Sequence, residues 1–240
     1  MKSVVIATHY MVYGAPQALR EYFLINKIPY LLFIAHPLKL DGSKSFVEKV
    51  VKGKQESQRE LPLRTGIGVI NYFLDIFFSF FWTITDPHHF SLYIGVDPLN
   101  ALAGLVLKKL GKVDKVIFYT IVFSPVRFEN KWLNGFYHGI DKFCLAHADE
   151  TWNVSDRIAE GREMIRGLKR SVYITQKTVP IGIWYSRVKR LPFSKIKKQQ
   201  LLFVGNLLEK QGVQLVLDAI PLIQKKVPNF HFMIVGGGRI

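Results

Sequence analysis

Two places in the sequence combine side-chain types and spacings that could do chemistry. The first is His9, at the end of the β-branched run "SVVIATH". In open α/β sheets the carboxyl ends of the strands line the ligand crevice, so a histidine there is placed to exchange a proton or hold a hydroxyl. The second is "FVGNLLEKQG", residues 203 to 212, where an apolar run breaks at Gly205 and turns polar before Gly212 opens a helical pattern. A glycine at the end of a strand lets an anion approach the backbone, and the amides of the following helix favour negative charge. Lys210 is the only cation between Gly205 and Gly212, with Asn206 as a neutral donor beside it. A tight turn would use the same two glycines, and the residues alone leave both readings open. His88 and His89 follow Pro87 with no third ligand at a suitable spacing, so they read as a turn and no metal site is expected.

The elements that must position these groups alternate along the chain. "SVVIATH" is a strand, Ala15 to Asn26 has helical spacing, and "PYLLFIA" is apolar again. A polar stretch from Asp41 to Arg64 follows, and then come an amphipathic helix, the strand "SLYIGV", a helix begun by Asp97-Pro98 and the strand "KVIFYT". Asp97 at the N-cap with Pro98 behind it is a strong start signal. A helix from about Asn130 to Ala148, the strand "ETWNV" and a helix started by Ser155 complete the series. Strands separated by helices of this length predict parallel βαβ units with right-handed crossovers.

The stretch Ile67 to Ile84 is about 18 residues long and mostly apolar, the length of a membrane span. Asn71, Asp75 and Ser79 recur every four residues, however, and draw one polar stripe opposite Ile70, Phe73, Leu74, Phe77 and Phe81. A carboxylate at mid-span costs about 3 kcal/mol on insertion scales. The stripe therefore predicts a helix covering the sheet, with Asp75 at its polar edge and the phenylalanines packed inward; a spanning helix is the second reading.

With 240 residues and 49% hydrophobic content the chain can build a real core, which excludes disorder as the main reading. Lys and Arg outnumber Asp and Glu by 33 to 18, a formal charge of +15 that favours anionic partners. Cys144 is the only cysteine, so an internal disulfide and a cysteine-rich zinc site are excluded. The apolar run at the N-terminus is too short for a signal-peptide core, and a cytoplasmic location is expected. Nothing resembles a nucleic-acid recognition helix or an aromatic RNA motif, so nucleic acid is not expected as a partner.

From Gly182 to Gln200 there are six basic residues and no acidic one, the texture of an exposed connection. The expected organisation is a Rossmann-like domain over 1–182, a basic linker over 183–200, and the beginning of a second domain over 201–240. Gly205, Gly212, Pro228 and the cluster Gly236 to Gly238 space this last segment as strand, turn, helix, turn, strand.

On those residues "LLFVGNLLEKQGVQLVLDAIPLIQKKVPNFHFMIVGGG" closely resembles the start of the C-terminal domain of group 1 glycosyltransferases of the two-Rossmann, GT-B type. Gly14, "IGVDPLNALAG" and "DKFCLAHADETWNVSDRIAE" resemble the acceptor-side domain more loosely, and Gly182 resembles the glycine of the interdomain segment. The resemblance implies two Rossmann-like α/β domains, the second incomplete. It also implies transfer from a nucleoside-diphosphate sugar to a glycan or lipid-linked acceptor, usually with retention and without a cofactor or metal. Gly205, Asn206 and Lys210 then face the donor diphosphate, and Gly14 lies in the acceptor-side loop.

The departures from the family pattern matter for mechanism. Asn206 stands where the family usually has arginine, Gln211 where it has lysine, and Val122 where a histidine or acidic residue is often found near the acceptor. His9 and Ser124 are the nearby polar candidates. The family's pair of sugar-gripping glutamates would fall beyond Ile240, so these 240 residues alone are expected to be inactive. A degenerate, non-catalytic binding module is the alternative. The basic, aromatic-rich first domain would also suit an anionic membrane surface, on the inner face of the membrane.

Overall fold

The computed structural model describes residues 3–10, 13–38, 43–61, 65, 67–169, 173 and 175–238; the side chain of Lys210 lies outside the described set. The chain divides into two compact units, Met1–Ile183 and Trp184–Ile240.

The first unit is built on one eight-stranded sheet. Its parallel part contains β1 (Ser3–Tyr10), β2 (Tyr30–Pro37), β5 (Leu92–Val96), β6 (Val116–Thr120), β7 (Glu150–Asn153) and β8 (Gln176–Thr178). β3 (Ser45–Val51) and β4 (Lys54–Leu61) form an antiparallel hairpin that extends the β2 edge, giving the order β4-β3-β2-β1-β5-β6-β7-β8. The strand order turns back on itself at β1, between β2 and β5, and crevices form at such switch points in doubly wound sheets.

The hairpin is a correction to the polar stretch expected between Asp41 and Arg64. Lys52 and Gly53 both have positive φ, 48° and 77°, the backbone of a tight two-residue hairpin turn. β4 reads "KQESQREL" and is exposed almost throughout, because an edge strand with both faces in water keeps no apolar alternation.

Helices cover both faces. α1 (Ala15–Ile25) packs Ala15 and Phe23 on the side formed by Val4, Ile6, Leu31, Phe33 and Ile94. α2 (Gly68–Thr85), α3 (Pro98–Lys109) and α4 (Lys131–His147) lie over the opposite side with α5 (Asp156–Arg166) beside them, above Val5, Ala7, Leu32, Tyr93 and Phe118. Asp97 caps α3 by accepting from the amides of Leu99 and Asn100, as its sequence position predicts. Gly95 lets α3 approach: a Cβ there would stand 2.4 Å from the backbone of Ala101. Gly95→Ala is expected to destabilise the protein by about 1–3 kcal/mol through overpacking, which urea denaturation would read directly.

Against expectation, α2 is turned the other way round. Its buried residues are Asn71, Asp75, Ser79 and Thr83, whereas Phe73, Phe77 and Phe81 are 55%, 54% and 44% exposed. The polar stripe faces the protein because the helix crosses the carboxyl ends of β1 and β2, which present His9 and His36 towards it. Burying the stripe satisfies these groups; burying the phenylalanines there would have left the histidines unpaired.

The second unit holds β9 (Gln200–Val204), α6 (Val213–Gln224) and β10 (His231–Val235), with β9 and β10 parallel. Short 3-10 turns at Tyr185–Arg187 and Phe193–Lys195 precede β9 within this unit, and Arg187, Arg190 and Lys198 lie over the rings of Trp184, Tyr185 and Phe193.

Candidate functional site

At the carboxyl ends of β1, β5 and β6 a cleft of about 310 Å³ opens in the first unit, lined among others by His9, Gly14, Tyr72, Asp97, Thr120, Val122, Arg127 and Tyr137. Each group arrives by a local rule. His9 ends β1, Asp97 caps α3, Gly14 caps α1, and Tyr72 and Tyr137 project from α2 and α4.

Its floor is a buried polar network. His9 Nδ1 lies 2.5 Å from Asp97 Oδ2, and Nε2 lies 3.2 Å from Asp75 Oδ2, with the His9 side chain only 6% exposed. Asp75 Oδ1 is 3.2 Å from His36 Nδ1 and accepts from Ser45 Oγ at 3.3 Å. Ser79 Oγ is 2.8 Å from His36 Nε2 and 3.0 Å from Asn100 Oδ1, and Asn100 Nδ2 donates to Asp97 Oδ2 at 2.9 Å. Burial works against a charge on His9, but Asp97 and Asp75 together outweigh it and raise the pKa to about 9. His36 is pushed the other way by burial and stays neutral. Burial also disfavours charge on the carboxylates, yet His36 and His9 hold Asp75, and His9 holds Asp97, below the usual range.

The arrangement is an imidazolium clamped between two carboxylates. With both ring nitrogens engaged and a proton on each at neutral pH, His9 is not a free base; it supplies fixed positive charge and orients Asp97. Asp97 keeps a quarter of its side chain exposed at the cleft. Its φ of +82° is unusual for a non-glycine residue, and strain of this kind costs about 1–3 kcal/mol and clusters at functional sites. Arg127 brings a second positive charge, its guanidinium donating to Tyr72 Oη at 3.3 Å and lying near the Tyr137 ring.

His9, Gly14 and Val122 therefore meet at one cleft. Val122 is 67% exposed and offers it only a methyl-bearing surface. Ser124 does not line it, and its hydroxyl donates to the Val126 carbonyl at 2.9 Å, closing a local turn. A Cβ at Gly14 would meet nothing nearer than 3.7 Å, so the cleft imposes no steric demand for glycine there. His88 and His89 turn to different partners, Asp86 and Asp114, and do not converge. Asp75, Asp97 and Arg127 also belong to the site, and their sequence context does not mark them as site residues. Asp97 carried a signal only as a cap, and Asp75 only as one member of a polar stripe.

In the second unit Gly205 follows β9, its amide donating to the Val235 carbonyl at 3.0 Å, and Asn206 is exposed beside it. The demand for glycine lies across the pair: a Cβ at Gly236 would fall 1.8 Å from the Gly205 carbonyl oxygen, and one at Gly238 2.2 Å from that of Leu207. A Cβ at Gly205 itself would meet only the Phe203 ring, at 3.3 Å, so a side chain there requires that ring to shift by a few tenths of an ångström. Lys210 falls in a single 3-10 turn, Glu209–Gln211, and Gly212 takes the left-handed backbone that starts α6.

No family model matches the chain, and no curated protein matches it in sequence. Among solved structures the chain is similar to the catalytic domain of starch synthase IV from Arabidopsis thaliana bound to ADP and acarbose, with a TM-score of 0.62 and 10% sequence identity over 100% of this chain and 69% of that one. A likeness at that identity speaks for architecture alone: with the largely parallel sheet of the first unit and the β-α-β segment of the second, the chain has a mixed α/β fold similar to that of a GT-B glycosyltransferase domain.

Proposed function

We propose that the protein takes part in glycosyl transfer from a nucleoside-diphosphate sugar, with the first unit receiving the acceptor and the second the donor diphosphate. The observation that carries this reading is the cleft at the carboxyl ends of β1, β5 and β6, with His9, Asp97 and Arg127 among an otherwise largely apolar lining, built on a GT-B-type fold. Ionised Asp97, held in place by His9, accepts a hydrogen bond from the acceptor hydroxyl and orients its oxygen. Arg127 attracts an anionic group of the acceptor, such as the phosphate of a lipid-linked glycan. The bond from the anomeric carbon to the diphosphate breaks, a bond to the acceptor oxygen forms with the same configuration, and the acceptor's proton leaves with the diphosphate. The nucleotide sugar is a substrate in this scheme, and no resident cofactor or metal is called for.

Charge builds on the leaving diphosphate as that bond breaks, so donors near Gly205 matter both on binding and on departure. Asn206 gives a neutral hydrogen bond and Lys210 the one cation between Gly205 and Gly212. Lys210→Ala is expected to weaken nucleoside-diphosphate binding or turnover by about 1–3 kcal/mol, the size of a lost charge-assisted bond. Calorimetric titration of the full-length protein with UDP, GDP and ADP, alongside turnover of the matching sugar donors, tests the proposal. Absence of binding to any of the three would remove it.

A second reading, a module that binds such ligands without transferring sugar, is favoured by one observation: Val122 presents an aliphatic surface to the cleft where a proton-carrying side chain would serve chemistry. Diphosphate binding with no turnover of any donor would select it.

A further inference from the structure

From the orientation of α2 and its neighbours we infer that the outer surface of α2, α3 and α4 docks on an anionic lipid bilayer, with α2 lying in the plane of the interface. This inference goes beyond the proposed glycosyl transfer and does not rest on it.

The apolar surface is continuous. Ile70, Phe73, Phe77 and Phe81 form an exposed row along α2, and Phe73 meets Phe136 of α4 with ring centroids 6.5 Å apart. One turn before Phe136 stands Trp132, 88% exposed. Large side chains of this kind seldom lie together in water without a partner, and exposed Trp and Phe are the residues that bind the boundary between headgroups and acyl chains.

Charge chooses the occupant. The sequences of the three helices contain two carboxylates, Asp75 and Asp141, and both are buried in pairs with histidine and arginine. Among the described residues the exposed lysines Lys109, Lys131 and Lys142 have no carboxylate within ion-pair distance. An aromatic face bordered by unneutralised cations is complementary to anionic headgroups, each lysine adding about 1 kcal/mol near such a surface. A second copy of the chain would set the same lysines against each other, which argues against self-association through this face.

The polar stripe fixes how deep α2 can go. Asn71, Asp75, Ser79 and Thr83 are buried against the first unit, and Asp75 is tied to His9 and His36, so spanning the bilayer would tear these groups from their partners. The helix therefore passes a length-and-composition test for a membrane span yet is held in plane by its own polar side. A small apolar groove between α2 and α4 shares Tyr72, Leu99 and Tyr137 with the cleft above His9, so the lipid-facing surface and the cleft are neighbours.

Flotation of the full chain with phosphatidylcholine vesicles, with and without about one third phosphatidylglycerol, is the test. Recovery with the anionic vesicles should exceed that with neutral ones by about tenfold. The variants F73S/F77S and K131E/K142E, whose side chains are exposed, should each reduce it by a similar factor while keeping the wild-type melting temperature. Trp132 emission should shift to the blue on adding anionic vesicles, and W132F should lose that shift. Equal recovery on both vesicle types, no flotation at all, or variants that float like wild type would overturn the inference. A wild-type dimer that F73S/F77S converts to monomer, with no lipid binding, would assign the face to a second copy instead.

Discussion

Asp75→Ala is expected to lower the unfolding free energy by about 3–5 kcal/mol, the range seen when one member of a buried ion pair is removed and the other stays. Asp75 serves three elements at once: its oxygens lie 3.2 Å from His9 Nε2 at the end of β1, 3.2 Å from His36 Nδ1 on β2, and 3.3 Å from Ser45 Oγ on β3. Alanine would leave a buried imidazolium with Asp97 as its remaining charged partner, and would leave the polar groups of His36 and Ser45 short of an acceptor. Asp75→Asn keeps the shape and some hydrogen bonding but not the charge, and should fall between wild type and alanine. Urea denaturation of the three proteins at pH 6.5 measures the series. A change below about 1 kcal/mol for alanine would mean that water reaches the network and replaces the carboxylate.

The same residue marks the limit of what the sequence discloses. The order of strands and helices is legible because apolar runs and caps are local: Asp97-Pro98 starts α3 and Ser155 starts α5 where their types predict. The orientation of α2 is not local. A stripe of Asn71, Asp75 and Ser79 reads as the wet side of a helix unless one knows that His9, 66 residues before Asp75, and His36, 43 residues before Ser79, end strands directly beneath it. Periodicity reports that two faces differ; it cannot report which of them finds partners. The edge strand β4 was hidden for a related reason, since a strand open to water on both faces has no alternation to detect, and only Lys52-Gly53 betrayed its turn.

At the site, legibility followed the sheet. His9 was readable because a strand's carboxyl end in an α/β fold faces the crevice whatever the residue. Ser124 is close to Val122 in sequence, but a turn directs its hydroxyl to the Val126 carbonyl. Asp97 was read as a cap and is one, but its two oxygens divide the work: Oδ1 caps Leu99 and Asn100 while Oδ2 meets His9. A single side chain with two roles leaves only the commoner one visible in sequence.

The charge on His9 makes a second large effect measurable through pH. Its pKa rises from 6.5 to about 9 on folding because Asp97 on α3 and Asp75 on α2 outweigh the cost of burial and the neighbouring His36 on β2 stays neutral. A pKa raised on folding means the folded state holds the proton more tightly. Its stabilisation is full below about 6.5 and is lost as pH rises through about 9. A shift of that size corresponds to about 3 kcal/mol. Asp75 and Asp97 have lowered values, so their contributions are present above the unfolded carboxylate range and lost as pH falls through the folded one. His36, lowered on folding, contributes above 6.5 and loses that contribution below it. These windows overlap near pH 6.5, where stability should be greatest. Between pH 6.5 and 9.5 wild type should lose about 3 kcal/mol that His9→Gln, having no proton to lose, does not. Comparing the two proteins removes the effect of the large net charge, which both share. Parallel losses in wild type and His9→Gln would show that His9 is neutral in the folded protein; its Nε2 or Nδ1 would then be free to act as the base that the clamped imidazolium cannot be.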